Sequence, residues 1–469
     1  MAVTSGIPWR RCPATTALRS PLFEPERHAT RGTTCPLRNI INRWENHAMP
    51  RIALYTPSFA GGGAERVMLY LAEGFIAHGH QVDMVVNEAE GAFRDQVPDG
   101  ARIVKLDPAR PLGGRLLILS ASAWSDWKAL ARPVLFAHKP DRQFPYLASL
   151  ARYLRAQRPD ALIAANSYCN LTALWAKRLA RVSTRVMVTE HNSLSFKIIQ
   201  KSVKGAARWR ALLPLIGRVY SRADAVVAVS NGVADDLSAI TGLPRGRIAT
   251  IYNPVITPEL AARAREPAPH PWLTARDGIP VIVAAGRLAP QKNFSLLLQA
   301  FALLRRQQPA RLLILGEGRQ RAQLEALIGE LGIGGDLALP GFVSNPYAAF
   351  SRASLFVLSS DFEGLGNALI EAMACGCPVV STDCPSGPAE ILEGGRFGEL
   401  VPPNDAEALS AAMLRALDAP VAAEVLRRRG ADFTLERSVE QYLALLFDKR
   451  QPREAAACRS AGGALGDHH

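Results

Sequence analysis

Ser354-Leu-Phe-Val-Leu-Ser-Ser-Asp-Phe-Glu-Gly-Leu-Gly-Asn-Ala-Leu-Ile-Glu-Ala-Met-Ala374 holds the pattern that decides the fold. The apolar run 354–359 reads as a short buried strand, Glu363-Gly364-Leu365-Gly366 as a loop, and helix-forming residues resume at Asn367. A strand that ends in a glycine loop and feeds a helix is the repeating unit of a parallel α/β sheet. The glycines also stand at a helix start. There, unpaired backbone N–H groups and the positive end of the helix dipole attract an anion, and missing side chains let it come close.

Glu363 precedes that helix and Glu371 lies a turn or so inside it. Carboxylates so placed reach opposite ends of an elongated ligand whose phosphates lie between them, which is the shape of a nucleotide sugar. The local alternative is that Glu363 complements the helix dipole and Glu371 occupies a solvated face.

Outward from this segment the alternation continues in both directions. In the same half, strands are expected at 281–285, 312–315, 336–339 and 379–382, and helices at 293–306, 320–331 and 405–417, with Asn293 as an N-cap. The first half opens with strand 51–56, the loop Gly61-Gly62-Gly63 and helix 64–77, followed by strands 81–87, 101–106, 161–165, 186–189 and 225–229. Closely spaced prolines between 261 and 278 read as a linker. The expected organisation is α/β throughout, with two doubly wound Rossmann-like domains at 49–262 and 279–450 joined by a linker at 263–278. Residues 451–469 are expected to be a disordered tail, and 1–48 a disordered leader or a misassigned start. Those first residues hold seven arginines against three glutamates and show neither a sustained period nor a signal-peptide core.

Length and composition agree with this plan. A chain of 469 residues exceeds what one core normally supports, about 250–300 residues, so two domains follow. Apolar residues make up 48% and charged ones 21%, so most of the chain should fold around a core. No apolar run approaches the roughly 20 residues that span a bilayer. The net charge of +13 suits nucleic acid, an anionic membrane or phosphate-rich ligands alike. Seven cysteines, three of them crowded at Cys375, Cys377 and Cys384 without a completing histidine, read as reduced small hydrophobes, which favours the cytoplasm.

Two cations weigh toward the ligand reading of the glutamates. Gly286-Arg287 ends strand 281–285, and Lys292 follows just before the helix that Asn293 opens. A departing diphosphate needs fixed positive charge as its own negative charge grows. Taken singly, each is explained as well by a surface position. The Gly61-Gly62-Gly63 loop matches neither the P-loop nor the GxGxxG spacing, and a tight turn would account for it.

Taken together and in order, these motifs resemble those of a family 4 retaining glycosyltransferase of the GT-B fold, of the bacterial cell-surface polysaccharide type. The resemblance runs from about Met49 to Asp448. It is carried by Gly61-Gly62-Gly63-Ala64-Glu65-Arg66, Thr189-Glu190-His191-Asn192, Val229-Ser230-Asn231-Gly232-Val233, Gly286-Arg287-Leu288 with Gln291-Lys292-Asn293, and Gly341-Phe342-Val343. Its most specific part is Glu363 to Glu371 followed by Cys375-Gly376-Cys377-Pro378-Val379-Val380.

The resemblance implies two Rossmann-like domains facing a central cleft, the first holding the acceptor and the second the donor. Arg287 and Lys292 would bind the donor diphosphate with the backbone amides of Gly364, Leu365 and Gly366, and Asn367 belongs to the same donor-binding set. Glu371 would accept from the ribose hydroxyls, and Glu363 would hold the donor sugar near its 3- and 4-hydroxyls. Gly63 would let the first domain close on the phosphates, and Val343 would line the base pocket through its backbone. His191 matches the family's active-site histidine, with a core or capping histidine as the alternative. The implied reaction moves a hexose or N-acetylhexosamine from a nucleoside diphosphate sugar, UDP being the expected carrier, by front-face displacement with retention. No cofactor or metal is implied, Arg287 and Lys292 serving instead.

Between Phe196 and Arg222 stand Lys197, Lys201, Lys204, Arg208, Arg210, Arg218 and Arg222 with no acid, interleaved with apolar residues and Trp209. A basic amphipathic helix of this kind reads as a membrane-surface element, with a solvated basic face as the alternative. Nucleic acid is disfavoured because no recognition motif accompanies the charge. The expected setting is therefore cytoplasmic, peripheral on an anionic inner leaflet, with a nucleotide-sugar donor and a lipid-linked or oligosaccharide acceptor. Two rivals stay open: a GT-B sugar-nucleotide epimerase, and a non-catalytic membrane-surface or nucleic-acid binder.

Overall fold

The computed structural model describes residues 49–109, 111–131, 134, 142–199 and 203–448. The expected leader 1–48, the tail 451–469 and Lys201 lie outside the described residues.

Short apolar strands buried on both faces are what an all-parallel sheet requires, and two such sheets form. The first is ordered β3-β2-β1-β4-β5-β6-β7. Its strands are β1 (Arg51–Thr56), β2 (Gln81–Val86), β3 (Ala101–Lys105), β4 (Ala161–Ala165), β5 (Arg185–Glu190), β6 (Ala225–Ala228) and β7 (Ile248–Thr250). The second is ordered β10-β9-β8-β11-β12-β13. It contains β8 (Val281–Ala285), β9 (Arg311–Leu315), β10 (Leu337–Gly341), β11 (Leu355–Leu358), β12 (Val379–Thr382) and β13 (Glu399–Val401). Every pairing is parallel, with Ile52 beside both Val82 and Ala161 and Ile282 beside both Leu312 and Leu355. The order reverses between β1 and β4 and again between β8 and β11, and open parallel sheets bind ligands at such reversal points, beyond the carboxyl ends of the strands.

Period-two alternation distributes the strands among three apolar layers. Ile52 and Leu54 face one outer layer, while Ala53 and Tyr55 face the middle one. In the second sheet Ile282 and Ala284 face the other outer layer, and Val281 and Val283 join the middle. That middle layer is continuous, running from Leu150, Leu162 and Val226 of the first half to Phe356, Leu369 and Ile370 of the second. The loop that follows β11 therefore rests on packing shared by both halves.

Three sequence expectations change. The edge strands β7 and β13 were not anticipated, because three residues are too few to display a period. The helix Leu435–Phe447 falls within the stretch expected to belong to the second domain, yet it packs on the first sheet's outer layer. Val439, Tyr442 and Leu446 make its buried stripe, and burying side chains of this size contributes roughly 1.5–3 kcal/mol each. An isolated bridge from Ile256 to Thr434 marks the return crossing.

The basic segment is partly drawn into the core. It folds as helices Leu194–Ile199 and Val203–Tyr220, and Leu212, Leu215, Ile216, Val219 and Tyr220 are buried in the middle layer. The apolar face that a membrane helix needs is spent on the core. Several of its cations are spent as well: Lys197 Nζ lies 3.3 Å from the buried Glu190, Arg222 pairs with the buried Asp126, and Arg218 donates to the Ser125 carbonyl at 2.8 Å. The side chain of Lys204 lies outside the described residues. Among the described residues no helix is long and apolar enough to cross a membrane. Cys169, Cys375, Cys377 and Cys384 are buried free thiols, and burial pushes Cys375 and Cys384 up to about 12.

Candidate active site

The carboxyl ends of both sheets open on one cavity of ≈ 620 Å³. Gly63 and His191 line it from the first half, and Arg287, Lys292, Val343, Glu363, Gly364, Leu365, Gly366, Asn367 and Glu371 from the second. All the site candidates read from the sequence thus meet in one place.

Lys292 and Glu363 are 71 positions apart, yet Lys292 Nζ approaches Glu363 Oε1 at 2.6 Å. Ser360 Oγ donates to the same oxygen at 2.6 Å, and Glu363 is only 6% exposed. The short turn that carries Lys292 is tied to the β11 loop by Gln291 Nε2 on the Phe362 carbonyl at 3.0 Å and by Asn293 Nδ2 on Asp361 at 2.7 Å. The geometry sharpens the sequence reading, which set the lysine on the diphosphate and the glutamate on the sugar as separate roles. An ammonium has three donors, so Lys292 can hold Glu363 with one and still offer others to the cleft. Arg287 is exposed and makes no ion pair among the described residues.

Beyond Glu363 the chain enters the helix Asn367–Ala374 through Gly366, whose φ of +99° is a left-handed conformation that favours glycine. The amides of Gly364, Leu365, Gly366 and Asn367 donate to nothing among the described residues. A row of free N–H groups at a helix start is an anion cradle. Gly364 has a second constraint: a Cβ there would lie 2.0 Å from the His191 carbonyl oxygen. Only glycine lets the two halves meet at this point. At Gly63, by contrast, an added Cβ meets nothing within 4 Å. That position opens the helix Gly63–Ala77 and faces the cleft without any steric demand of its own.

His191 follows β5 and is 7% exposed. Thr189 Oγ1 gives its single proton to the Ala164 carbonyl at 2.9 Å, so His191 Nε2, also 2.9 Å from that oxygen, must carry hydrogen and donate to it. Nδ1 is left as a bare acceptor. Burial, reinforced by Lys197, lowers the imidazole pKa to about 3, so the ring is neutral throughout the physiological range. A neutral ring with an acceptor nitrogen can accept from a hydroxyl and cannot itself act as a general acid.

Glu371 lies deep in the cleft while keeping some solvent access. Burial raises its carboxyl to about 7, against the opposing pull of Arg66, Arg263, a hydrogen bond from Tyr347, and Lys292. Arg66 comes from the first turn of the helix Gly63–Ala77. Burial works against its charge, but Tyr70 and Glu371 more than restore it and hold the guanidinium above its ordinary value.

Sequence reasoning missed several lining or bridging groups. Arg66 stood inside a quoted motif but was given no role. Phe342 was quoted only as a neighbour of Val343, although it is 68% exposed at the cleft wall. Asn253 Nδ2 donates to Asn367 Oδ1 at 2.9 Å, from one half to the other. Glu390 caps the helix Asn231–Thr241 across the same junction: its carboxylate accepts from the amides of Asn231 and Gly232 at 2.8 Å each, from Asn231 Nδ2 at 3.1 Å and from the Tyr252 hydroxyl at 3.2 Å. Ser230 Oγ adds a 2.7 Å bond to the Gly364 carbonyl. Only the Ser-Asn-Gly motif hinted at this seam, and nothing local linked it to Glu390.

Two Rossmann-like sheets whose reversal points share a cleft, furnished with an amide cradle and a cation pair, define a glycosyltransferase of the GT-B class. Residues 61–259 match the Glycosyltransferase Family 4 model and residues 271–433 the Glycosyl transferases group 1 model. The chain belongs to this family, the group 1 glycosyltransferases of family 4. It is 28% identical over 354 residues to the N-acetylgalactosamine-N,N'-diacetylbacillosaminyl-diphospho-undecaprenol 4-alpha-N-acetylgalactosaminyltransferase of Campylobacter jejuni, covering 75% of this chain and 86% of that protein. It is 26% identical over 399 residues to the lipopolysaccharide core biosynthesis glycosyltransferase LpsE of Rhizobium meliloti, covering 83% and 96%. Among solved structures, Anabaena HepE in complex with UDP and glucose superposes with a TM-score of 0.64 at 20% identity, covering 85% of this chain and 99% of that one, which shows the common fold.

Proposed function

We propose that this chain transfers a hexose or N-acetylhexosamine from a UDP-linked sugar to a lipid-linked or growing surface glycan, with retention of the anomeric configuration and without a metal. The observation that carries the reading is the Lys292–Glu363 pair set at the mouth of the free amides of Gly364 to Asn367. The UDP in the HepE complex and the diphospho-undecaprenol in the Campylobacter enzyme's name support the donor and acceptor classes.

In this reaction the amide cradle, Arg287 and the remaining donors of Lys292 hold the diphosphate. Glu371 accepts from the ribose hydroxyls, and Glu363 and His191 Nδ1 accept from hydroxyls of the sugar. The bond from the anomeric carbon to the phosphate oxygen breaks while the acceptor oxygen bonds to the same face. The acceptor proton passes to the departing phosphate oxygen. Charge growing on that phosphate is met by groups already in place, so no reorganisation is required at the moment of transfer.

The chain also meets an anionic membrane, through a surface other than the basic helix. Trp124 and Trp127 stack at 4.8 Å and are 81% and 42% exposed, with Leu116 exposed nearby in sequence. Exposed indole rings of this kind favour a membrane–water boundary.

UDP release measured with UDP-sugars and a lipid-diphosphate acceptor tests the central reading. Acceptor-dependent release that disappears in Glu363→Ala supports it. Turnover of the donor without acceptor would replace it with an epimerase, and no release with any donor would leave a binder.

A further inference from the structure

The first sheet has a second opening, of ≈ 440 Å³, lined by Pro57, Arg142, Asn166, Tyr168 and Arg208 among others. Pro57 follows β1 and Asn166 follows β4, so the opening lies at that sheet's own reversal point. Gly61 and Gly63 of the donor cleft come only a few residues after Pro57.

Arg208, on the helix Val203–Tyr220, is the unusual group. Its Nε and Nη2 are buried and hydrogen-bonded to nothing among the described residues. It makes no ion pair among them either, and its guanidinium lies over the Tyr168 ring at 5.9 Å. The other cations of that segment for which contacts are described, Lys197, Arg218 and Arg222, have acceptors. A buried guanidinium without an acceptor forgoes hydrogen bonds it would make in water, and its flat fork of donors matches two oxygens of one oxyanion. Arg142 stands exposed on the same wall. Asn166 adds a second sign: it holds a φ of +80°, rare for a residue with a side chain, and that side chain does not cap the helix it precedes. Non-glycine residues kept in such a conformation cluster at ligand sites.

We propose that this opening is an acceptor subsite for a phosphate or diphosphate group, with Arg208 as its two-toothed ligand and Arg142 as the second cation. The assignment rests on the transferase reading above. It places the acceptor's anion at an opening that shares the loop after β1, Pro57 to Gly63, with the donor cleft. A lipid diphosphate and a phosphorylated glycan offer the same chemistry to the pocket.

Calorimetric titration of the full-length protein tests this, with UDP held at saturation so that the donor cations are occupied. Inorganic pyrophosphate is expected to bind the wild type at one site, and about tenfold more weakly to Arg208→Gln, with Arg208→Lys intermediate. UDP affinity, measured separately, stays equal in all three and reports an intact fold. If Arg208→Gln does not fold, Arg142→Gln serves, with a smaller loss expected. Equal pyrophosphate affinity in wild type and the folded variants overturns the subsite, as does pyrophosphate binding only where UDP is absent, or tighter binding of glucuronate than of pyrophosphate. Failure of UDP itself to bind sinks the donor reading alone, because the dependence of pyrophosphate on Arg208 would still be seen. With a lipid-diphosphate acceptor and a phosphorylated glycan compared side by side, the one whose KM rises in Arg208→Gln at unchanged kcat identifies the source of the anion.

Discussion

On the β8–β11 side of the cleft Lys292 is met by Glu363 at 2.6 Å, and the amides beyond it are fixed by a helix start. In the separate opening at the β1–β4 reversal point Arg208 keeps two donor groups buried with no acceptor among the described residues. Both sides arise from the same element, a parallel strand delivering its carboxyl end to a reversal point. They differ in how charge is completed. The proposed donor side neutralises its lysine internally, so a diphosphate bound there would meet a neutral pair, an Arg287 with no ion pair among the described residues, and a row of dipoles. The proposed acceptor side leaves its arginine to be completed by a ligand. The contrast suggests a donor site preorganised for chemistry and an acceptor site built for selection.

The sharpest way to break this contrast is Glu363→Gln. If the pair is preorganised for the transition state, turnover falls by about 10²–10³ while donor KM changes little. Steady-state kinetics with varied donor decides, and a KM effect as large as the kcat effect would make Glu363 a plain binding group.

Glu371 should behave in the opposite way. Glu371→Gln raises donor KM by about tenfold, the loss of roughly one charge-assisted hydrogen bond, with kcat nearly kept. Because burial holds the Glu371 carboxyl near 7, well above the ordinary carboxyl value, the accepting carboxylate is depleted as pH falls through about 7. Donor affinity should weaken over that interval in wild type and be flat in Glu371→Gln. The sign for stability is reversed. The fold binds a proton that the unfolded chain has already lost, so the unliganded protein loses stability as pH rises from the ordinary carboxyl range to about 7. Thermal melts of both proteins across that range check it.

Glu390→Ala tests whether the seam between the halves matters to either side. Loss of the carboxylate leaves the amides of Asn231 and Gly232 without their acceptor, at about 1–3 kcal/mol of unfolding free energy in urea titration. Donor binding should fall only slightly, and the scattering radius in the presence of UDP should show whether the halves separate. The smallest effect on catalysis is expected from the double change Trp124→Ser, Trp127→Ser. Turnover of a soluble acceptor should be unaltered while flotation with anionic vesicles is lost, and unchanged flotation would remove this surface from consideration.

Particular residues show what was legible in advance. Strand 51–56, the helix that Asn293 caps and the loop from Glu363 to Gly366 all announce themselves within about ten positions, through apolar period and glycine placement. Arg287, Lys292 and Glu371 were recognisable because each sits at a fixed offset from such an element, and His191 because it stands in a motif of the family that the chain resembles. Less visible were the roles that depend on partners far along the chain. The basic helix looked amphipathic toward a membrane, because the text records its period but not that Leu212, Ile216 and Tyr220 already have a core to enter.

By itself, then, the sequence determined the alternation of strand and helix, the two parallel sheets and the positions of the glycine loops at the strand ends, because these follow from local periodicity and local backbone preference. Only the tertiary structure decided that Lys292 is spent on Glu363, that the helix Leu435–Phe447 returns to the first sheet, that Glu390 closes the seam and that Nε and Nη2 of Arg208 have no acceptor among the described residues. Each of these depends on which groups come within bonding distance once the chain is packed. That distance is set by the sum of many apolar contacts, and no spacing along the sequence encodes it.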